Sequence, residues 1–177
     1  MRVFVGIDPP VDLRKELAKL GRDLFSQWNI KLVEEENLHL TLLFIGNISL
    51  EKKEKLIKVL RQLRGLQKIS LTTRDIEFFP NESDRRGIWL TVSGEKEKLF
   101  SLYKKIVDSC LNLGIDIDKN DLRFFPHITL GRFREKPEHK KLTSFFQGFV
   151  VDKFTLFESR LSSRGSVYLK IAEIGLK

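Results

Sequence analysis

His39-Leu40-Thr41-Leu42 and His127-Ile128-Thr129-Leu130 are one pattern written twice, 88 residues apart. What precedes them is repeated as well. RVFVGI at residues 2–7 leads through an amphipathic segment to HLTL, and GIWLTV at 87–92 leads through another to HITL. The spacing from Val3 to His39 is 36 residues and from Trp89 to His127 is 38. A strand–helix–strand unit occurring twice predicts two related lobes folded into one unit over residues 1–177. No Ser/Gly-rich linker or low-complexity tract divides the chain.

Working outward, residues 2–8 alternate and carry Val and Phe, which predicts a strand stopped by Pro9 and Pro10. Asp12 is placed to cap the helix that follows, whose stripe is Leu13, Leu17, Leu20, Leu24 and Trp28. A strand is expected over 38–45, ended by Gly46 and Asn47. Next comes a helix opened by Ser49, lined by Leu56, Val59, Leu60 and Leu63, and closed by Gly65. Strands at 69–78 and 88–92 flank a polar stretch, 80–87. A third helix spans about 95–113, with Leu99, Leu102, Tyr103, Ile106 and Cys110 inward and Gly114 as its stop. A strand at 127–133, a short polar helix after Pro137, and strands at 150–161 and 166–174 complete the chain. Helices interleaved with strands that follow one another directly make the class α+β.

On a strand, residues i and i+2 share a face. Each HxT segment therefore presents an imidazole and a hydroxyl on one side and sends its apolar residues into the core. Thr is 7 of the 177 residues, so two of three histidines would carry Thr at i+2 by chance only about once in 200 such chains. A lone HxT reads best as a solvent-facing strand residue; a pair at matching points of a repeat reads as a site. Imidazole titrates near neutral pH, so one His can hold a proton while the other accepts one. The threonines can donate hydrogen bonds to the oxygens of a phosphate between them. This suits phosphodiester cleavage without a metal. Metal binding by His39 and His127 is the competing reading. It lacks H-x-x-x-H or C-x-x-C spacing, and Thr is a poor zinc ligand.

With RVFVGIDPP, HLTLLFIG, RGIWLTV, FFPHITLGRF and FTLFESRLSSRGSVYLKI, nearly the whole chain resembles the 2H phosphoesterase superfamily, and within it the RNA 2′,3′-cyclic phosphodiesterases, also called 2′-5′ RNA ligases. The resemblance implies a bilobal α+β fold, each lobe an antiparallel sheet with outer helices, and an active-site cleft between the lobes. It implies hydrolysis of a terminal 2′,3′-cyclic phosphate to a 2′-phosphate with no cofactor. Ligation would be the same chemistry with an RNA 5′-hydroxyl in place of water. By the same resemblance His39 is the general acid, His127 the general base, and Thr41 and Thr129 the phosphate-holding pair. Arg132 matches an arginine of the second motif that steadies phosphate charge. Strict alternation puts Arg132 on the wrong face, so its role requires a bulge, which Gly131 would permit. Gly6 and Gly131 stand where the family often has Ala. Two other functions remain open: a cyclic phosphodiesterase of small nucleotides, and a non-catalytic basic RNA-binding module.

The partner implied is RNA with a cyclic phosphate end, acted on by a monomer. The formal net charge of +8 and a pI near 9.6 favour a polyanion. They equally suit the Lys/Glu-rich, Met- and Cys-poor surface of a heat-adapted protein. Hydrophobic residues at 41% exclude a disordered chain, and the longest apolar run falls far short of the ~20 residues that a bilayer span needs. Without a secretory signal or a second cysteine to pair with Cys110, a cytoplasmic, membrane-free location is expected. No glycine pattern matches a P-loop or dinucleotide fingerprint. His139 reads as an exposed helix residue, and Cys110 as a small buried one. Phe78-Phe79 and Phe124-Phe125 are mainly core, with one or two rings near the cleft for base stacking. Residues 81–87, with Arg85 and Arg86, read as a basic loop or a merely solvated one. Arg160 and Arg164 flank the last turn.

Overall fold

The computed structural model describes residues 1–81, 83–118, 122–135, 137–138, 142–162 and 165–177. His139, Arg164 and most of the polar helix expected after Pro137 lie outside these. The described residues form nine strands and three α-helices: β1 (Arg2–Ile7), α1 (Val11–Phe25), β2 (Ile30–Leu32), β3 (Leu40–Asn47), α2 (Leu50–Arg61), β4 (Ile69–Pro80), β5 (Arg85–Gly94), α3 (Lys96–Asn112), β6 (His127–Phe133), β7 (Gly148–Val151), β8 (Lys153–Ser162) and β9 (Gly165–Gly175). A 3-10 turn, Glu35–Asn37, sits just before His39.

The sheet is antiparallel throughout, in the order β7-β4-β5-β6-β3-β1-β8-β9, with the short β2 also paired to β6. The two halves meet at one register pair, Leu40 opposite Ile128, both fully buried. Each half is a four-stranded lobe whose innermost strand carries an HxT segment. Outward from β6 run β5, β4 and β7; outward from β3 run β1, β8 and β9. The repeat in the sequence is thus a repeat in space. The helices cross between the halves. After β1, α1 packs against β6 and β2; after β5, α3 packs against β3 and β4. Leu13, Leu17 and Phe25 of α1 and Leu99, Leu102 and Ile106 of α3 belong to one continuous core with Leu40 and Ile128, so helix burial fixes the two lobes to each other.

Several boundaries differ from the sequence expectation. Asp12 does not cap α1; Pro10 occupies that position with no side-chain hydrogen bond, and Asp12 lies in the first turn. Leu24 is 40% exposed rather than part of the buried stripe. Ser49 does cap α2, accepting from the Lys52 N–H at 3.2 Å. The expected strand at 150–161 is two strands in different lobes. At Asp152 the chain leaves β7, paired with β4, and enters β8, paired with β1. Local patterning could not show this, because neither piece carries a signal of which strand it pairs with. Residues 85–87 are strand, not loop. Arg86 pairs with Asp84 at 3.0 Å, and Arg85 lies over the Phe78 ring and donates to the Pro137 carbonyl.

Candidate active site

Both HxT strands are kinked at the same place. In β3, Gly6 faces Thr41 while Val5 faces Leu43, so Leu42 is an extra residue. In β6, Trp89 faces Thr129 while Ile88 faces Gly131, so Leu130 is extra. Each bulge turns two successive residues inward, Leu42-Leu43 and Leu130-Gly131, and flips the alternation beyond. The fifth residue after each histidine therefore returns to the histidine's face. In β6 that residue is Arg132, which resolves its parity. In β3 it is Phe44.

His39, Thr41, His127, Thr129 and Arg132 line one cavity of about 210 Å³ between the lobes. Phe44, Arg123, Phe125 and Tyr168 line it too. Tyr168 comes from β9 at the far edge of the sheet, so nothing near the motifs in sequence points to it. Phe44 and Arg123 become visible only once the bulge and the loop before β6 are placed. Of the four phenylalanines in the FFP segments, Phe124 and Phe125 reach the cavity, while Phe78 is buried against Trp28 and Phe133. Arg160 is held by Glu158 through two contacts of 2.9 Å.

The imidazoles are oriented alike. Nδ1–H of His39 donates to the Asn37 carbonyl at 2.6 Å, and Nδ1–H of His127 donates to the Phe125 carbonyl at 2.7 Å, in each case two residues back. With the proton fixed on Nδ1, each neutral ring presents an Nε2 lone pair. Thr41 Oγ1 lies 3.0 Å from Nε2 of His39. An aromatic residue from the neighbouring strand steadies each ring: Phe4 at 4.9 Å from His39, and Trp89 at 4.3 Å from His127. The Arg132 guanidinium rests on Phe79, which stacks on Trp89. That stack leaves Gly87 no room for a side chain, since a Cβ there would sit 2.5 Å from the Phe79 ring and from the Gly131 carbonyl.

The two environments differ electrostatically. Burial holds both histidines below the ordinary imidazole value of 6.5, because the charged ring loses water. At His39 the Asn37 hydrogen bond and the Asp8 carboxylate oppose that shift. At His127 the Phe125 hydrogen bond opposes it, but the charges of His39 and Arg132 add to it. Asp8, whose side chain is 7% exposed, is itself paired with Lys170 at 2.8 Å. A proton is thus favoured by its charged neighbours on His39 and disfavoured by them on His127. Among the described residues no group of three or more His, Cys, Asp or Glu converges as a metal would require. Burial pushes the Cys110 thiol up to about 12, which leaves it without nucleophilic character.

The sequence pattern of LigT-like phosphoesterases matches residues 7–89, the stretch that carries the first HxT segment. An RNA 2′,3′-cyclic phosphodiesterase of Methanocaldococcus jannaschii is 33% identical over 181 residues, covering 98% of this chain and 99% of that protein. The chain belongs to the LigT-like phosphoesterase family. Solved structures share the architecture of both lobes. A Thermus thermophilus protein superposes with a TM-score of 0.89 at 26% identity, covering 99% of this chain and 97% of that one. Escherichia coli LigT complexed with 3′-AMP superposes with 0.85 at 26% identity, covering 99% and 97%. The family fold is therefore the curled antiparallel sheet with helices described above, and the second HxT segment, outside the matched residues, lines the same cavity as the first. No helix among the described residues is long and apolar enough to cross a membrane.

Proposed function

We propose that this LigT-like phosphoesterase opens a terminal 2′,3′-cyclic phosphate on RNA to a 2′-phosphate by two-histidine acid/base catalysis. The observation that carries the reading is the matched pair of imidazoles, each with Nδ1 tied to the carbonyl two residues back, facing one cavity with two threonines and Arg132. The name of the M. jannaschii relative and the nucleotide bound to E. coli LigT support the substrate class.

Nε2 of His127 takes a proton from water as its oxygen attacks phosphorus. The P–O3′ bond breaks on the opposite side, and Nε2–H of His39 delivers its proton to the departing 3′ oxygen. The products are a 2′-phosphate and a free 3′-hydroxyl. The Thr41 and Thr129 hydroxyls donate to the non-bridging oxygens, and Arg132 faces the charge that builds there. The buried carboxylate of Asp8 supports the assignment of His39 as the acid. Both histidines come from one chain, and we read the unit as a monomer acting in the cytoplasm. An RNA 5′-hydroxyl entering in place of water would give a 2′-5′ linkage at the same site. With a cyclic-phosphate-ended oligonucleotide in excess chelator, we expect full-rate conversion to the 2′-phosphate. Conversion only on addition of metal, or a 3′-phosphate product, would refute the proposal.

The pH dependence follows from the charges. Because both imidazoles sit below 6.5, the plot of kcat/KM against pH should be a bell whose maximum lies on the acid side of that value. Asp8→Asn removes a carboxylate that favours the proton on His39, so the alkaline limb should move to lower pH while the acid limb stays. Measuring the two limbs separately checks this, and an unmoved alkaline limb would contradict it.

A further inference from the structure

A second cavity, of about 250 Å³, adjoins the catalytic one and shares Val33, Arg132 and Tyr168 with it. Its other walls come from β2 and from the ends of β8 and β9, including Lys31, Leu161 and Ser166. Two features set it apart. In the β2–β6 register Lys31 stands directly opposite Arg132, so two cations face each other across adjacent strands. Both side chains line the same cavity, so a phosphate seated there is within the field of two cations. Leu161, near the end of β8, is 82% exposed, an apolar side chain on the rim with little packing of its own. Glu34 also lines the cavity, and with Lys31 and Arg132 it leaves the ionised trio net positive.

We infer that Lys31 and Arg132 together form a second phosphate subsite, which holds the phosphodiester joining the terminal nucleotide to its 5′ neighbour. This rests on the function proposed above and names what makes the substrate an RNA end instead of a free cyclic nucleotide. Arg132 borders both cavities, so it spans the cyclic phosphate and the next phosphate along the backbone. Leu161 and Tyr168 line the same cavity and offer the preceding nucleoside an apolar and an aromatic wall.

The test uses three substrates: a nucleoside 2′,3′-cyclic phosphate with a free 5′-hydroxyl, the same compound bearing a 5′-phosphate, and a dinucleotide ending in the cyclic phosphate. In the native protein kcat/KM should rise about 10- to 100-fold on adding the 5′-phosphate or the linking phosphodiester, mainly through KM. Lys31→Glu should remove most of that rise, whereas Lys31→Arg should keep it. A role of Lys31 in folding alone would lower all three substrates by one factor. Equal kcat/KM for all three in the native protein, or a ratio that Lys31→Glu leaves untouched, would overturn the subsite while leaving the hydrolytic reading intact. Failure to hydrolyse any of the three would instead remove that reading, and the subsite with it.

Discussion

Alanine at His39 or His127 should lower kcat on a cyclic-phosphate-ended RNA by roughly 10²- to 10⁴-fold in each case, the range that a positioned general acid or base supplies. The loss should fall on kcat more than on KM. In the proposed mechanism proton transfer happens only in the transition state, whereas the threonines and Arg132 would hold the phosphate before and during reaction. The two substitutions should not add. Proton delivery and removal serve one displacement, so His39→Ala/His127→Ala together should be little slower than the worse single variant. Neither variant should unfold the protein. Each ring is only half-buried, its Nδ1 hydrogen bond is to a backbone carbonyl, and the core pair Leu40–Ile128 beneath is untouched. Single-turnover rates with circular dichroism on the same samples would check both statements. Wild-type kcat in either variant would remove the acid/base pair from the account.

Valine at Thr41 or Thr129 should cost about 10²- to 10³-fold in kcat/KM, comparable to losing one oxyanion donor elsewhere. Valine keeps the shape and the β-branched preference for strand, so the hydroxyl is the only functional group removed. The two positions should differ in a second respect. Thr41 Oγ1 already lies 3.0 Å from His39 Nε2, so Thr41→Val also alters the environment of the acid and should shift the alkaline limb of the pH profile. No such contact joins Thr129 to His127 among the described residues, and Thr129→Val should lower the profile without moving it. Steady-state kinetics across pH separates the two. Equal, small losses with unmoved limbs would mean that the hydroxyls do not meet the phosphate.

Much of this was legible in the sequence because the information was local and repeated. The HxT segments named four of the residues lining the cleft. The matching RVFVGI and GIWLTV strands gave the lobes, and the stripes of α1 and α3 gave their packing faces. What was hidden lies in long-range geometry. Nothing in residues 150–161 marks Asp152 as the point where the chain changes lobe, because hydropathy along β7 and β8 is the same whichever strand they pair with. β2 is three residues long, too short for any period, yet it brings Lys31 opposite Arg132. The carbonyls of Asn37 and Phe125 that set both imidazoles are backbone groups and leave no trace in residue identity. Arg132 shows the boundary well. Its motif position pointed to phosphate while strand parity pointed away, and only the bulge at Leu130 reconciles the two.

The plot of kcat/KM against pH for the native protein, His39→Ala and His127→Ala, on one RNA substrate in excess chelator, tests the assignment of acid and base most directly. The native protein should give a bell. His127→Ala should lose the acid limb, because no base remains to be deprotonated, and His39→Ala should lose the alkaline limb, because no acid remains to be kept protonated. A bell surviving in either variant, or the limbs exchanged between them, would contradict the account.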